Sequence, residues 1–324
     1  MRAIVTDGFG GPQVLQLTDV PDPAPGPGEV LIAVLASGVN RADLLQRQGF
    51  YPAPPGASEI IGLEVSGRIA GLGPDVEGWR VGDECVALLA GGGYAELVAV
   101  PAGQVVRPPQ GIDLVSAAGL IEVAATVASN LTRVALAGGE TFLVHGGTGG
   151  IGSFAIQYAA ALGARVFATA GSTDKLALCR RLGAEAAFDY HDDWLGALLV
   201  ATAGHGADVI LDVIGAKYLD ANTDALADDG RLVVIGLQGG RKGTLDLGRL
   251  LAKRGLVTAT SLRGRPAEQK AAICAEVVHT IWPLFASGAI KPAQETRFPA
   301  ASVAAAHEHL GSGDAVGKLL LTWA

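Results

Sequence analysis

A cluster of glycines in TFLVHGGTGGIGSFAIQ has the residue types and spacing needed to hold a phosphate group. The apolar run TFLVH predicts a strand, and the stretch after the glycines predicts a helix. Gly147, Gly149 and Gly152 satisfy G-x-G-x-x-G, the dinucleotide-binding fingerprint of a strand-loop-helix unit. These glycines allow a tight turn, close approach of the pyrophosphate and close helix packing, in that order. Backbone N–H groups near Gly150 and Ile151 would form the anion site.

The strand that follows, ARVFATAG, bears on which dinucleotide binds. An NAD site normally places an acid about 20 residues after the glycines to hold the ribose 2′-hydroxyl. Here the first acid is Asp174, already in the next helix, whereas Ser172 and Lys175 stand where a 2′-phosphate would be bound. Arg180 and Arg181 lie further along and are better explained as solvated helix residues. These residues favour NADPH over NADH.

The elements around this motif predict an α/β protein. From Thr141 onward, apolar runs of five to eight residues alternate with helical stretches, a pattern typical of a doubly wound parallel sheet covered on both faces. The first 110 or so residues instead carry short apolar runs separated by Pro and Gly, which predicts a β-rich domain. After Lys291 the sequence predicts a strand, a helix and a final strand. We therefore expect two domains.

The composition excludes several classes of protein. A net charge of -8 and a pI of about 5.2 argue against a nucleic-acid partner. No apolar run reaches the roughly 18 residues of a membrane helix, and the N-terminus lacks the layout of a secretory signal, so we expect a cytoplasmic protein. Cys85, Cys179 and Cys274 are too far apart to indicate a disulfide framework or a metal cluster.

The β-rich part precedes the glycine motif much as in zinc alcohol dehydrogenases, so a catalytic metal site has to be tested. Those enzymes use a thiolate after the first long strand and a His-Glu pair about 25 residues later, because catalytic zinc needs three protein ligands. This chain has Asn40 and the pair Leu63-Glu64 at those places. We therefore predict no metal. His145, at the end of the strand before the glycines, is interpreted as a packed histidine without a catalytic role.

The sequence resembles the zinc-free quinone oxidoreductase branch of the medium-chain dehydrogenase/reductase superfamily over essentially its whole length. The motifs that carry the resemblance are GVNRADLLQRQGFYPAPPGASEIIGLEVSG, HGGTGGIGSFAIQ, ATAGSTDKLALCRRLGA and GKLLL. NRADLLQRQG followed by PPGAS is most similar to the p53-inducible quinone oxidoreductase-like subgroup. The resemblance implies a GroES-like catalytic domain of residues 1–123 completed by residues 291–324, a Rossmann domain of residues 124–290, NADPH in the cleft between them, and a homodimer.

The resemblance also assigns residues to the substrate pocket. It implies that Asn40 and Thr126 line the space around the nicotinamide and the substrate. Tyr51 would lie over the mouth of this pocket, where it would stack on a quinone or donate a hydrogen bond to its oxygen. The alternative for Tyr51 is a surface aromatic in a Pro-rich loop.

A second set of residues is assigned to the cofactor by the same resemblance. The pyrophosphate would be held by Gly149, Gly150 and Ile151. The 2′-phosphate would be surrounded by Ser172, Lys175 and Tyr190. The ribose and the carboxamide would be bracketed by residues that follow the runs ADVILD and RLVVIG, namely Ile214, Gly215, Gly236 and Leu237.

These features predict zinc-free hydride transfer from NADPH to a quinone or a similar electron-poor enone. Hydrogen bonds from Asn40 or Tyr51 would stabilise the developing oxyanion, and water would supply the proton. One alternative is a 2-enoyl thioester or alkenal reductase on the same scaffold. Another is a cofactor-binding protein with little turnover, as the lens crystallin relatives of the family are. The sequence leaves the physiological acceptor open.

Overall fold

The computed structural model describes residues 1–323, and their contacts divide the chain into two compact units. The first unit contains Met1–Ala125, Leu262–Gly288 and the described chain from Pro292 onward. The second unit contains Thr126–Ser261 and Ala289–Lys291. Of the described helices, none is long and apolar enough to cross a membrane.

Residues 262–288 belong to the first unit, although the sequence interpretation assigned them to the Rossmann domain. Trp282 Nε1 donates a hydrogen bond of 2.8 Å to the Arg107 carbonyl, and Arg263 Nε donates one of 2.7 Å to the Ala90 carbonyl. Both bonds join residues more than 170 positions apart, so no local sequence pattern signals them. The division of catalytic and cofactor-binding roles between the two predicted domains stays a prediction.

The first unit is built on antiparallel strands. Numbered along the chain, its strands are β1 (Arg2–Thr6), β2 (Leu15–Asp19), β3 (Glu29–Val39), β4 (Glu64–Leu72), β5 (Glu84–Leu88), β6 (Leu97–Pro101), β7 (Val105–Val106), β14 (Glu295–Pro299) and β15 (Lys318–Thr322). One sheet has the order β14-β15-β3-β4-β5-β7, with β6 paired to β3, and β1 and β2 form a separate pair. Its helices are α1 (Arg41–Arg47), α2 (Leu114–Ala117), α9 (Ala267–Thr280), α10 (Trp282–Ala286) and α11 (Val303–Ser312).

Strand β3 organises this sheet. In its first half Val30, Ile32 and Val34 are buried while Ala33 and Leu35 are exposed, the period of two expected when one face of a strand meets a core. Its last residues instead pair with β15, which brings the C-terminal strand alongside the residues just before Asn40. Residues 36–39 of β3 are all buried.

The second unit is a six-stranded parallel sheet with helices between its strands. The strands are β8 (Thr141–Val144), β9 (Arg165–Ala170), β10 (Ala186–Asp189), β11 (Ala207–Asp212), β12 (Leu226–Val234) and β13 (Leu256–Ala259). The helices are α4 (Gly150–Ala161), α5 (Thr173–Arg181), α6 (Trp194–Ala201), α7 (Leu219–Ala225) and α8 (Leu247–Ala252), and α3 (Ile121–Arg133) crosses the boundary between the units. The predicted α/β fold with a doubly wound parallel sheet is confirmed.

The strand order of this sheet is β10-β9-β8-β11-β12-β13. The chain therefore runs outward from β8 to one edge, returns to β11 beside β8, and continues to the other edge. Ligands of such sheets bind at the carboxyl ends of the strands where the order reverses. In this protein that position is the loop after β8 together with the loops after β9, β11 and β12.

Candidate cofactor and substrate site

The glycine loop joins β8 to α4, and its glycines have different structural tasks. A Cβ on Gly152 would lie 2.2 Å from the Gly146 carbonyl oxygen, and one on Gly147 would lie 2.7 Å from Cys179 Sγ. The tight turn falls on Gly146, with φ +71°, and not on Gly147 as the motif suggests. Gly147 is instead required because neighbouring side chains pack directly against it.

Gly149 differs from these glycines because the space beside it is open. A Cβ there would meet nothing closer than the Gly146 oxygen at 3.7 Å, and the residue is exposed. Gly149 is the N-cap of α4, and no side chain caps the first N–H groups of this helix. The start of α4, including Gly150 and Ile151, therefore presents backbone donors and a positive helix end to an anion.

His145 connects the end of β8 to its neighbours and is fully buried. Its Nε2 lies 2.7 Å from Asn222 Oδ1 and its Nδ1 lies 3.0 Å from Thr169 Oγ1. Burial lowers its pKa to about 4, against the opposing effect of the Asn222 hydrogen bond. The Trp194 and Tyr218 rings pack edge-on against it. The structure agrees with the interpretation of His145 as a packed, neutral histidine.

The residues predicted to meet a 2′-phosphate converge at the end of β9. Ser172 is the N-cap of α5, and its hydroxyl oxygen accepts a hydrogen bond of 3.4 Å from the Lys175 N–H. A Cβ on Gly171 would lie 2.3 Å from Tyr190 Oη, so the phenol lies directly over this glycine. Strand β9 ends at Ala170 and is followed by Gly171 and Ser172, so a hydroxyl, a phenol and a half-buried lysine occupy this edge of the sheet.

The loops after β11 and β12 come together at the next part of this edge. A Cβ on Gly215, which has φ +79°, would lie 3.0 Å from the Gly236 oxygen and 3.1 Å from Leu237 Cδ2. Ile214 N donates a hydrogen bond of 2.6 Å to Asp212 at the end of β11. The structure thus brings Ile214, Gly215, Gly236 and Leu237 together.

Asp212 is a residue of this edge that the sequence interpretation missed. Its carboxylate is buried and accepts hydrogen bonds from Ile214 N and, at 3.0 Å, from Gly215 N. Burial raises its pKa to about 6, although the two backbone donors oppose that shift. The available signal was the aspartate that ends the run ADVILD. Asp212 fixes the turn that carries Ile214 and Gly215.

In the first unit, Asn40 lies between two buried charged side chains. Its Nδ2 donates a hydrogen bond of 3.0 Å to Glu64 Oε1, and Lys318 Nζ donates one of 2.6 Å to its Oδ1. Lys318 Nζ also forms a 2.6 Å ion pair with Glu64 Oε1. Glu64 Oε2 accepts a hydrogen bond of 3.0 Å from Glu122 N at the start of α3. The sequence interpretation did not anticipate the lysine.

A buried polar network adjoins Asn40 on the other side. Asn40 N donates to Asp43 Oδ2 at 2.7 Å, and Tyr94 Oη donates to the same oxygen at 3.0 Å. His307 Nε2 contacts Tyr94 Oη at 3.1 Å, and Arg47 donates to His307 Nδ1 at 3.3 Å. Burial raises the pKa of Asp43 to about 7, and the hydrogen bonds that Asp43 accepts from Asn40 N and Tyr94 Oη oppose the shift. Asp43 Oδ1 is buried without a partner among the described residues.

Tyr51 is held by Arg263. The guanidinium carbon lies 5.2 Å from the centre of the Tyr51 ring, and Arg263 Nη1 donates a hydrogen bond of 3.1 Å to the Tyr51 carbonyl. Arg263 Nη2 donates one of 2.7 Å to Gln46 Oε1. A cation stacked on the ring and bonded to the backbone fixes both parts of the residue. Tyr51 is partly buried, so the structure does not leave it as a loosely held surface aromatic.

Two family models match this chain. Residues 26–110 match the alcohol dehydrogenase GroES-like domain, and residues 150–276 match the zinc-binding dehydrogenase model. A quinone oxidoreductase of Pseudomonas aeruginosa is 33% identical over 317 residues, which are 97% of each chain. The chain belongs to the medium-chain dehydrogenase/reductase superfamily. It is an oxidoreductase of that superfamily, and the resemblance seen in the sequence is confirmed.

Solved structures similar to this medium-chain dehydrogenase/reductase cover it completely. The Escherichia coli quinone oxidoreductase complexed with NADPH matches with a TM-score of 0.91 at 29% identity, and each chain is covered fully. A mycobacterial protein complexed with NADPH matches with a TM-score of 0.90 at 34% identity, again over both full chains. A mycocerosic acid synthase-like polyketide synthase of Mycobacterium tuberculosis is 32% identical over 96% of this chain, which corresponds to 15% of that protein.

The cysteines and the other potential metal ligands do not cluster in the part of the chain that the structure describes. Within residues 1–323, no three His, Cys, Asp or Glu side chains lie close enough together to hold a metal ion. The three cysteines are buried and free. Burial raises their pKa values to about 12 for Cys85, 11 for Cys179 and 12 for Cys274, so each remains a thiol.

Thr126 lies in α3 and belongs to the second unit, unlike Asn40 and Tyr51. It is 8% exposed, and its carbonyl accepts a hydrogen bond of 2.7 Å from Asn130 Nδ2. Thr260 Oγ1 donates one of 2.6 Å to Asn130 Oδ1. The predicted substrate residues therefore divide between the units, while every predicted cofactor residue other than Asn40 lies in the second.

Proposed function

We propose that this oxidoreductase transfers a hydride from NADPH to a quinone or a similar electron-poor enone. The observation that carries the proposal is the carboxyl edge of the parallel sheet. At this edge the backbone of Gly149 is open to an anion. Ser172, Lys175 and Tyr190 are the side chains expected around a 2′-phosphate. Two similar solved structures are NADPH complexes, which supports the same choice of cofactor.

The second unit would bind the cofactor through groups that fit it. NADPH, when bound, supplies the hydride. The N–H groups of Gly150 and Ile151 suit a pyrophosphate, and a Cβ at Gly149 would occupy the space through which it approaches. Lys175 would neutralise part of the charge on the 2′-phosphate. The loops after β11 and β12 would bracket the ribose and the carboxamide.

The first unit would act on the acceptor. As hydride reaches the substrate, negative charge develops on its oxygen, and preorganised donors stabilise that charge. Asn40 Nδ2 has two hydrogens and one acceptor among the described residues, Glu64, so one hydrogen is available for the substrate oxygen. Tyr51 would stack on the acceptor or donate a second hydrogen bond. Thr126 would line the nicotinamide pocket, and water would deliver the proton.

We further propose that hydrogen bonds, and not zinc, polarise the acceptor. The argument rests on which groups surround Glu64, the one carboxylate at the place where zinc alcohol dehydrogenases have ligands. Glu64 is paired with the Lys318 ammonium at 2.6 Å and bonded to Asn40, and neither partner is a zinc ligand.

A second candidate function is reduction of a carbon-carbon double bond in a 2-enoyl thioester. It is favoured by the match to part of a polyketide synthase and by the structure of CurK enoyl reductase, which is 25% identical with a TM-score of 0.87. Both candidates use the same cofactor and the same proposed donors. They differ in the acceptor that fits the pocket.

We also propose a homodimer formed through the second unit. Strand β13 is at the edge of the parallel sheet, where a second copy could pair with it. Leu247 and Leu251 on α8 and Leu256 on β13 are 69%, 79% and 50% exposed, an unusual concentration of apolar side chains. Sedimentation velocity should show a dimer, and Leu251→Glu should shift it toward monomer.

The deciding experiment for the function is NADPH oxidation with a panel of ortho- and para-quinones. NADH is measured in parallel, and a crotonyl thioester serves as the control acceptor. Turnover of quinones with preference for NADPH supports the proposal. Turnover of the thioester alone would assign the protein to the second candidate, and no turnover with tight NADPH binding would favour a cofactor-binding protein of little activity.

A further inference from the structure

The Lys318 ammonium is a buried cation with two oxygen partners. Its side chain is 7% exposed, and that of Glu64 is 0% exposed. Lys318 Nζ lies 2.6 Å from Glu64 Oε1 and 2.6 Å from Asn40 Oδ1. Taking two charges out of water is costly, and such a pair persists only where good geometry and further hydrogen bonds offset that cost.

The backbone around this pair is shaped to accommodate it. A Cβ on Gly38 of β3 would lie 2.2 Å from Glu64 Oε1, and one on Gly119 would lie 2.6 Å from Lys318 Cγ. Gly38 is paired with Leu320 of β15, the strand that carries Lys318. Any larger residue at Gly38 or Gly119 would displace one partner of the pair. The site is therefore formed by four separate segments of the first unit.

The two charged groups fix the orientation of the Asn40 carboxamide. A lysine ammonium can only donate, so it must meet the amide oxygen. An ionised carboxylate can only accept, so it must meet the amide nitrogen. Rotation of the amide by 180° would place Nδ2 against the ammonium and Oδ1 against the carboxylate, and both hydrogen bonds would be lost.

We propose that Lys318 is a positioning residue for the hydride-transfer step, because it holds Asn40 Oδ1 and thereby directs the second N–H of Asn40 toward the acceptor oxygen. This inference rests on the proposed function, in which Asn40 donates to the developing oxyanion. Lys318 acts through Asn40 and touches neither substrate nor cofactor in this proposal. Glu64 is the counter-charge that keeps the ammonium in place.

The first test is independent of turnover. The chain has three asparagines, Asn40, Asn130 and Asn222, so selective ¹⁵N-asparagine labelling gives three side-chain NH₂ signals. In Lys318→Met we expect the Asn40 pair to shift and to lose protection from hydrogen exchange, while the other two pairs stay in place. Lys270→Met, which removes a second buried lysine of the same unit, should leave all three pairs unchanged.

The second test measures quinone or enone turnover. In Lys318→Met we expect kcat to fall about 100-fold, because a misplaced Asn40 carboxamide would lose its contact with the transition state. The Kd for NADPH should be unchanged. In Lys318→Ala, propylammonium should restore part of kcat because it replaces the deleted atoms and charge. Propanol, which lacks the charge, should not.

The outcomes separate this inference from the proposed function. If the wild-type protein reduces no acceptor, the proposed function fails, while the asparagine signals still decide whether Lys318 orients Asn40. If Lys318→Met keeps both its kcat and its Asn40 signals, the inference is wrong. If Lys318→Met does not fold, the neutral double variant E64Q/K318M takes its place, and unchanged Asn40 signals there would equally overturn the inference.

Discussion

Removal of either partner alone from the buried Glu64–Lys318 pair should be strongly destabilising. Breaking a buried ion pair typically costs about 3–5 kcal/mol, because the remaining charge is buried without compensation. In Lys318→Met, Glu64 keeps hydrogen bonds from Asn40 and Glu122, so we expect a loss near 3 kcal/mol, at the lower end of that range. In Glu64→Gln, the buried ammonium keeps its hydrogen bond to Asn40 Oδ1 but loses the negative charge of its ion-pair partner, so the loss should be larger.

The double variant E64Q/K318M contains no buried charge at this position, and its loss should be smaller than the sum of the two single losses. We expect a coupling energy of about 2–3 kcal/mol. The exposed pair Arg68–Glu84 is a matched control, since it also joins two strands of this sheet but is 57% and 47% exposed. The double-mutant cycle of Arg68 and Glu84 should give a coupling energy of less than about 1 kcal/mol.

The assay is urea unfolding followed by tryptophan fluorescence. Trp79, Trp282 and Trp323 lie in the first unit and only Trp194 lies in the second, so the signal reports mainly the unit that contains the pair. The m-value should be the same for all variants. A coupling energy no larger than that of the Arg68–Glu84 control would refute the reasoning, because the pair would then behave as if it were solvated.

Three further predictions concern the cofactor site and the buried acid. Gly149→Ala should fold normally and weaken NADPH binding about ten-fold or more, measured by fluorescence titration, whereas Gly152→Ala should lower thermal stability by about 1–3 kcal/mol because its Cβ meets a carbonyl oxygen. Lys175→Ala should reduce the preference for NADPH over NADH about ten-fold in kcat/KM, and Arg181→Ala should leave it unchanged. The pKa of Asp43 is raised by folding, so its contribution is fully present below about pH 4 and is lost as pH rises toward 7, at about 1.4 kcal/mol per pH unit. Asp43→Asn should therefore gain stability relative to wild type as the pH rises from about 4 to 7 in urea titrations, and a constant difference over that range would contradict the raised pKa.

The part of the proposed cofactor site around the glycine loop could be predicted from sequence because its determinants are local. The strand before the glycines, the glycines and the helix after them lie within about 20 consecutive residues, and the apolar strands that follow repeat one simple pattern. Ser172 and Lys175 could be assigned from their place after β9. What the motif could not give was the task of each glycine, since the positive φ lies at Gly146 and the close contact with Cys179 lies at Gly147.

The acceptor side could be predicted only in part because its determinants are distant in sequence. Asn40 and Tyr51 were identified by resemblance, but the groups that hold them were not. Lys318 is 278 residues from Asn40, and Arg263 is 212 residues from Tyr51. A lysine at the start of an apolar C-terminal strand has no local feature that indicates which carboxylate it meets.

The glycine loop and the acceptor side thus differ in how far apart in the sequence their determinants lie. The proposed cofactor residues from Gly147 to Lys175 lie in one continuous supersecondary unit, and those from Tyr190 to Leu237 lie in the same parallel-sheet unit. The donors proposed for the acceptor depend on side chains brought from the C-terminal strand and from the segment around Arg263 in the first unit. A substitution at Lys318 or Arg263 would redirect Asn40 or Tyr51 and leave the cofactor site intact. Acceptor choice should therefore follow these two cations more closely than it follows the glycine motif.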